Sequence, residues 1–207
     1  MQSSSLNSAA LCDLSPEDAL LFARFGVGQR QAPPFECIHH AFDHHAAAQP
    51  NAVAVEHCGE SITYGELERR ANTLALQLRS LGVVPGARVC LLVQRSISMV
   101  IGILAILKAG GAYVPLDGGI VTQSTLEHVI RDSESVLTLA LSEYVHRVPK
   151  SRVFCLDDMI GCAPETTDRL ENLSSPNDSA YIIYTSGTLL CCRRCTVLIW
   201  IRYYWHA

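Results

Sequence analysis

Between residues 35 and 188 the chain alternates two patterns: apolar positions recurring every three or four residues, and short runs of nearly continuous apolar sequence. The first is the mark of a helix with one buried stripe, the second of a strand covered on both faces. Helical spacing is predicted from Ile38 to Gln49, ended near Pro50. It resumes at Thr63, where Thr63-x-x-Glu66 forms a capping box. Leu67, Ala71, Leu74, Leu78 and Leu81 are its buried stripe and Gly82 its stop. A third helix, Ser96 to Ala109, is apolar on most sides and is closed by Gly110-Gly111. A fourth opens at a second capping box, Ser124-x-x-Glu127, with Leu126, Val129 and Ile130 on its inner face. The strand runs are 52–56 (AVAVE), 88–93 (RVCLLV), 112–116 (AYVPL), 135–141, 152–156 and 180–184 (AYIIY), with Asp117-Gly118-Gly119 as a turn. Strands alternating with helices of this length predict an α/β fold, a mostly parallel sheet flanked by helices.

The flanks break this pattern. In residues 1–34, Ser15-Pro16-Glu17-Asp18 is a helix start with proline at the first helical position and acids in the first turn. Leu20, Leu21 and Phe25 supply an apolar side, Gly26-Val27-Gly28 a stop, and Pro33-Pro34 an extended exit. At the other end, residues 189–207 hold three of the nine cysteines, both tryptophans and Arg193, Arg194 and Arg202, with no acid. No helical stripe is visible there, and 196–200 suits a strand. The composition shift near residue 188 divides the chain into a leader, 1–34, a domain, 35–188, and an aberrant Cys/Trp-rich tail, 189–207, read as foreign to the rest, against the alternative of a native hydrophobic terminal strand.

Composition narrows the class. The 207 residues are 49% hydrophobic and 17% charged, with a net charge of −4. That excludes a disordered tail, a collagen-like fibre and a nucleic-acid arm, and predicts no nucleic-acid or membrane partner. The longest apolar stretch, 97–107, is about half of the ~20 residues a membrane span needs. The N-terminus has neither the basic nor the apolar region of a secretory signal. The expected location is therefore cytoplasmic, with the cysteines as thiols packed mostly as small hydrophobes.

The strongest chemical signal is Tyr184-Thr185-Ser186-Gly187-Thr188, placed directly after a strand. Such a segment can present backbone N–H groups and hydroxyls to a phosphate, though an ordinary turn uses the same residues. Other constellations carry less. His40 and His44 stand one helical turn apart but have no evident third ligand, so they read as a solvated or partly buried helix face. Cys192-x-x-Cys195 lacks a second pair. Asp157-Asp158 reads as a solvated strand end rather than an acid/base dyad. Gly26-x-Gly28 follows no strand. No metal site and no catalytic residue is assigned.

Three segments occur in order: Ile62-Thr63-Tyr64-Gly65-Glu66-Leu67, then LKAGGAYVPLD from Leu107 to Asp117, then SAYIIYTSGT from Ser179 to Thr188. With them the chain resembles the N-terminal part of an adenylate-forming (AMP-binding) domain, of the kind that activates amino acids in fungal nonribosomal peptide synthetases. The resemblance covers about residues 12–188 and implies part of the large N-terminal subdomain of that fold. It implies an ATP-dependent ligase that turns an amino or other carboxylic acid into an acyl-adenylate, with Mg²⁺, and passes it to phosphopantetheine on a carrier domain. Thr185, Ser186, Gly187 and Thr188 match the first four positions of the family's phosphate loop, T-S-G-[ST]-T-G-x-P-K-G, and would touch the ATP phosphates. Leu189 then departs from that loop, and Asp117-Gly118-Gly119-Ile120-Val121 departs from the family's D-P-x-Y-P continuation. LKAGGAYVPLD is structural in the family. Lys108 is expected to be a solvated helix-end residue, Asp117 a turn residue and Tyr64 a packing residue. Full adenylating domains are more than twice as long as residues 35–188, and the missing part carries the substrate pocket and the lid lysine. The chain is therefore expected to be inactive by itself, with no cofactor productively bound, or else to act as a non-catalytic binding module.

Overall fold

The computed structural model describes residues 14–25, 34–162, 170–186 and 192–198. Helix α1 (Pro16–Phe25) belongs to a separate compact unit from Pro34–Ile201. Its start is the predicted one: Ser15 Oγ accepts from the Asp18 backbone N–H at 3.1 Å and donates to Asp18 Oδ2 at 2.7 Å. None of its residues is buried, including Leu20, Leu21 and Phe25. The glycines expected to stop it, Gly26 and Gly28, lie outside the described residues.

The second unit opens with α2 (Ile38–Ala48) and a hairpin of β1 (Val53–His57) and β2 (Glu60–Thr63). The second hairpin strand was not predicted. Its four residues, Glu60-Ser61-Ile62-Thr63, bury Ile62 but are too few to show alternation. Next come α3 (Tyr64–Ser80), β3 (Arg88–Val93), α4 (Ile97–Ala109), β4 (Ala112–Asp117), α5 (Gln123–Asp132), β5 (Leu137–Ala140), β6 (Val153–Cys155), α6 (Leu156–Cys162), β7 (Ser179–Ser186) and β8 (Cys192–Leu198). The main sheet has the order β6-β5-β3-β4-β7-β8. The first five of these strands are parallel and β8 runs antiparallel along β7. The predicted α/β class, a mostly parallel sheet flanked by helices, is the architecture found.

The strands are apolar on both sides because both faces are covered. Val89, Leu91, Val93, Leu137 and Leu139 pack against α3, α4 and α6, meeting Leu74, Leu78, Ile101, Ala105 and Leu156. The alternate residues Leu92, Val114, Ala140 and Ile182 turn to the other face, against Leu126 and Val129 of α5. Each such side chain contributes about 1.5–3 kcal/mol by leaving water.

The caps explain the boundaries. Thr63 Oγ1 accepts from the Glu66 N–H, and Ser96 Oγ from the Met99 N–H. The second expected capping box is displaced: the cap of α5 is Thr122, whose Oγ1 accepts from the Thr125 N–H at 3.2 Å, while Glu127 accepts from Gln123 Nε2. Thr122 stands one turn before the inward Leu126, and so outcompetes Ser124 for the cap. Leu81, expected on the buried stripe of α3, is the residue after the helix and is exposed. Helix α4 ends in a Schellman turn, with Gly111 N–H on Ile106 O, and Gly110 takes φ +98°, which side-chain-bearing residues avoid.

Of the cysteines described as free, Cys90 is fully buried in β3, where burial pushes its thiol up to about 12, and Cys58 lies exposed in the hairpin turn. A thiol reagent at about pH 8 is expected to modify Cys58 in the native chain and to spare Cys90 until the chain unfolds. Mass mapping of the labelled cysteines checks this. Equal labelling of both in native buffer would contradict a covered parallel sheet.

Candidate functional site

Parallel α/β sheets bind ligands at the carboxyl ends of their strands, where successive crossovers leave in opposite directions. Here the chain passes from β3 to β4 on one side and then from β4 to β5 on the far side of β3, so the reversal falls between β3 and β4. Val93 and Asp117 pair at the carboxyl ends of these two strands. On the next strand Tyr113 is level with Tyr181, four residues before Thr185. Thr185 and Ser186 are the last residues of β7, which runs parallel to β4 and so ends on the same side of the sheet. The other two residues of the expected phosphate-binding set, Gly187 and Thr188, lie outside the described residues.

The edge is built firmly. Tyr184 donates from its hydroxyl to Asp132 Oδ2 at 2.6 Å, tying the end of β7 to α5. Asp117 is the expected turn residue: its Oδ1 accepts from the Gly119 N–H at 2.9 Å, and Gly118 N–H bonds Val93 O at 3.0 Å. Arg147 reaches across and donates to the carbonyls of Gly118 and Val121, each at 2.6 Å. A Cβ at Gly118 would lie 2.3 Å from ring atoms of Tyr144, so the unusual Gly118 makes room for that ring. Asp157, expected at a solvated strand end, is half-buried in the first turn of α6. It accepts from Ser98 Oγ and the Ser142 N–H and so joins α4 to the loop after β5. Among the described residues no group of three metal-ligating side chains lies at this edge.

Lys108 needs a larger correction. It is buried, not solvated. Its ammonium donates to Asp43 Oδ1 on α2 and to Asn72 Oδ1 on α3 at 2.8 Å, with Glu68 Oε1 at 4.0 Å and the Phe42 ring 5.4 Å away. The last turn of α4 faces α2 and α3 rather than water, because Gly110 and Gly111 turn the chain directly back into the sheet. A Cβ at Gly111 would meet Val83 Cγ1 at 2.9 Å and Ala87 O at 3.2 Å. LKAGGAYVPLD is thus a packing device, as expected, with its lysine inside the packing. Tyr64 packs its ring against Phe42 at 5.8 Å, as expected.

The expected histidine face of α2 is divided. His44 and His45 are exposed and His40 is half-buried, while His39 is buried and its proton affinity is lowered to about 4, mainly by burial. An open cavity of about 810 Å³ between α2 and α3 is lined by His40, Asp43, His44, Glu68 and Asn172, among others.

A doubly wound, mostly parallel sheet covered by helices on both faces defines an α/β domain. More narrowly, the chain belongs to the AMP-binding enzyme family, whose model matches residues 42–188. It is 48% identical over 187 residues to adenylate-forming reductase 03009 of Coprinopsis cinerea, covering 88% of this chain and 18% of the reductase. With malpinin synthetase of Mortierella alpina it shares 38% identity, over 91% of this chain and 2% of the synthetase. Among solved structures, the nonribosomal peptide synthetase FmoA3 in its AMPPNP-bound form superposes with a TM-score of 0.77 at 26% identity, over 89% of this chain and 19% of that one. The N-terminal subdomain of Klebsiella oxytoca NpsA shares the fold, with a TM-score of 0.71 at 22% identity, over 79% and 42%. The chain thus spans less than a fifth of the length of the curated relatives it matches. No helix among the described residues is long and apolar enough to cross a membrane.

Proposed function

We propose that this chain forms the phosphate-facing part of an adenylate-forming ligase, and that it does not catalyse adenylation by itself. The observation that supports this most directly is the position of Thr185 and Ser186 at the carboxyl end of β7, the strand next to β4, within the stretch matched by the family. There the hydroxyls and N–H groups of Thr185, Ser186, Gly187 and Thr188 hold the phosphates of ATP. In the complete reaction a carboxylate attacks the α-phosphorus, the bond to the leaving pyrophosphate breaks, and the acyl-adenylate remains for capture by a phosphopantetheine thiol of a carrier domain. Holding the leaving phosphates in line is a positioning and charge-stabilising task, which backbone and hydroxyl donors perform without a covalent step. Both the reductases and the synthetases among the relatives fit this reading, since forming the adenylate precedes reduction and peptide synthesis alike. The substrate is an amino or other carboxylic acid, and the compartment is the cytoplasm.

The test is a titration of the full 207-residue chain with AMPPNP and Mg²⁺, followed by isothermal calorimetry. Weak, saturable binding is expected, reduced about tenfold in a Thr185→Ala/Ser186→Ala variant, as the loss of charge-assisted hydrogen bonds predicts. ATP–pyrophosphate exchange is expected at background with any amino acid. No binding, or binding indifferent to the double substitution, overturns the phosphate-facing role. Exchange above background overturns the inactivity.

A further inference from the structure

We propose that Cys37, His39 and His40 form a metal site for one borderline divalent cation, of which Zn²⁺ is the best fit. It lies at the start of α2, away from the nucleotide edge. One ligand atom from each of the three residues falls within 4.8 Å of the others, so a single ion can touch all three.

The hydrogen bonding shows which ring nitrogens are free to bind. Asn172 grips Ser174 with both ends of its amide: Nδ2 donates to Ser174 O and Oδ1 accepts from the Ser174 N–H, each at 3.0 Å. That fixes Oδ1 toward His39, whose Nε2 lies 3.2 Å away. Nε2 must then carry the proton and donate it, which leaves Nδ1 a bare lone pair. In a side chain only 2% exposed, this Nδ1 has no hydrogen-bond partner, and neither does the buried Nε2 of His40. Buried polar atoms are rarely left so. A ligating histidine typically donates its second N–H to a carbonyl or carboxylate oxygen, and the Asn172 amide oxygen supplies this.

Glu36, Asp178 and Asp43 lie near the cluster, as does the Lys108 ammonium that bonds Asp43. On binding a dication the thiol releases its proton to the buffer and binds as thiolate. One sulfur and two imidazole nitrogens suit Zn²⁺ and the neighbouring late first-row ions rather than Mg²⁺ or Ca²⁺. His40 also lines the open cavity between α2 and α3. The site is separate from the phosphate edge. Cys37 packs on Leu107, Ala180 and Tyr181, at the amino end of β7. Tyr181 and Ser186 are five residues apart on that strand, or about 16 Å at ~3.3 Å per residue. All three ligands lie at the start of α2, and the hydrogen bond from His39 to Asn172 ties that end to the segment leading into β7.

The test uses the full chain freed of metal by a chelator and titrated with Co²⁺, an absorbing stand-in for Zn²⁺. A thiolate-to-cobalt charge-transfer band that saturates and is displaced by Zn²⁺ is expected, in a background where Cys191, Cys192 and Cys195 are replaced by serine. Cys37→Ser should abolish the band, and the partly exposed His40→Gln should weaken Co²⁺ binding at least tenfold. Asn172→Ala should weaken it about tenfold through the lost orienting bond. No band in the parent background, or a band unchanged by His40→Gln, overturns the site even if Cys37→Ser fails to fold. The readout is independent of nucleotide binding.

Discussion

Replacing Lys108 by alanine is expected to lower the unfolding free energy by about 3–5 kcal/mol, the usual cost of removing one partner from a buried ion pair. The side chain of Lys108 is 4% exposed and that of Asp43 18%, and Glu68 stands at 4.0 Å. Without the ammonium, Asp43 loses its partner and Asn72 Oδ1 loses that donor, in a place too enclosed for bulk water to compensate fully. The hydrocarbon stem of Lys108 is also lost, together with its cation–π contact with Phe42. A Lys108→Met/Asp43→Asn pair separates the two effects. It keeps most of the volume and removes both charges, so it should recover a large part of the loss. Urea unfolding of the single and double variants measures this. A Lys108→Ala variant within ~1 kcal/mol of the parent would place the ammonium in water, as the sequence reading had it.

That reading failed for a physical reason that extends to other residues. A lysine in the last turn of a helix is an ordinary solvated feature, favoured by the helix dipole. Nothing in local sequence reveals that Asp43 and Asn72, 65 and 36 residues away, converge on it. The strands and most helix limits were legible because they follow from periodicity and caps within one element; the structural nature of LKAGGAYVPLD came from the family resemblance. Thr122 rather than Ser124 caps α5 because the cap position is set by where Leu126 and Val129 must face, which is a tertiary requirement. Thr185 and Ser186 stand out in the sequence because hydroxyl and glycine residues directly after an apolar strand are a local signal, while their proposed phosphate role comes from the resemblance to the AMP-binding family. Cys37 and His39 left no such signal. The hydrogen bond that orients His39 is made with Asn172, which reaches it only when the segment before β7 folds back on α2.

The loop after β4 carries the second large effect. Restoring the family's proline by Gly118→Pro is expected to destabilise the chain by about 4 kcal/mol, through two separate losses. Proline has no N–H, so the 3.0 Å bond to Val93 O disappears while that carbonyl stays buried. The side-chain carbons of proline would also enter the space held by the Tyr144 ring, which a bare Cβ would already approach to 2.3 Å. The two losses can be separated. Gly118→Ala keeps the N–H and incurs only the steric cost, about 1–3 kcal/mol, and that cost should nearly vanish beside Tyr144→Ala. Gly118→Pro in the same Tyr144→Ala background should still be worse by the missing hydrogen bond, about 1–3 kcal/mol. Thermal and urea unfolding of the set reads these differences directly. If Gly118→Pro were as stable as the parent, the Tyr144 ring could not lie over this loop. If the losses appear in this order, glycine at 118 and tyrosine at 144 are one coupled adaptation. The turn that borders the candidate phosphate edge then owes its shape to a side chain from the loop after β5, held down by Arg147 on the carbonyls of Gly118 and Val121.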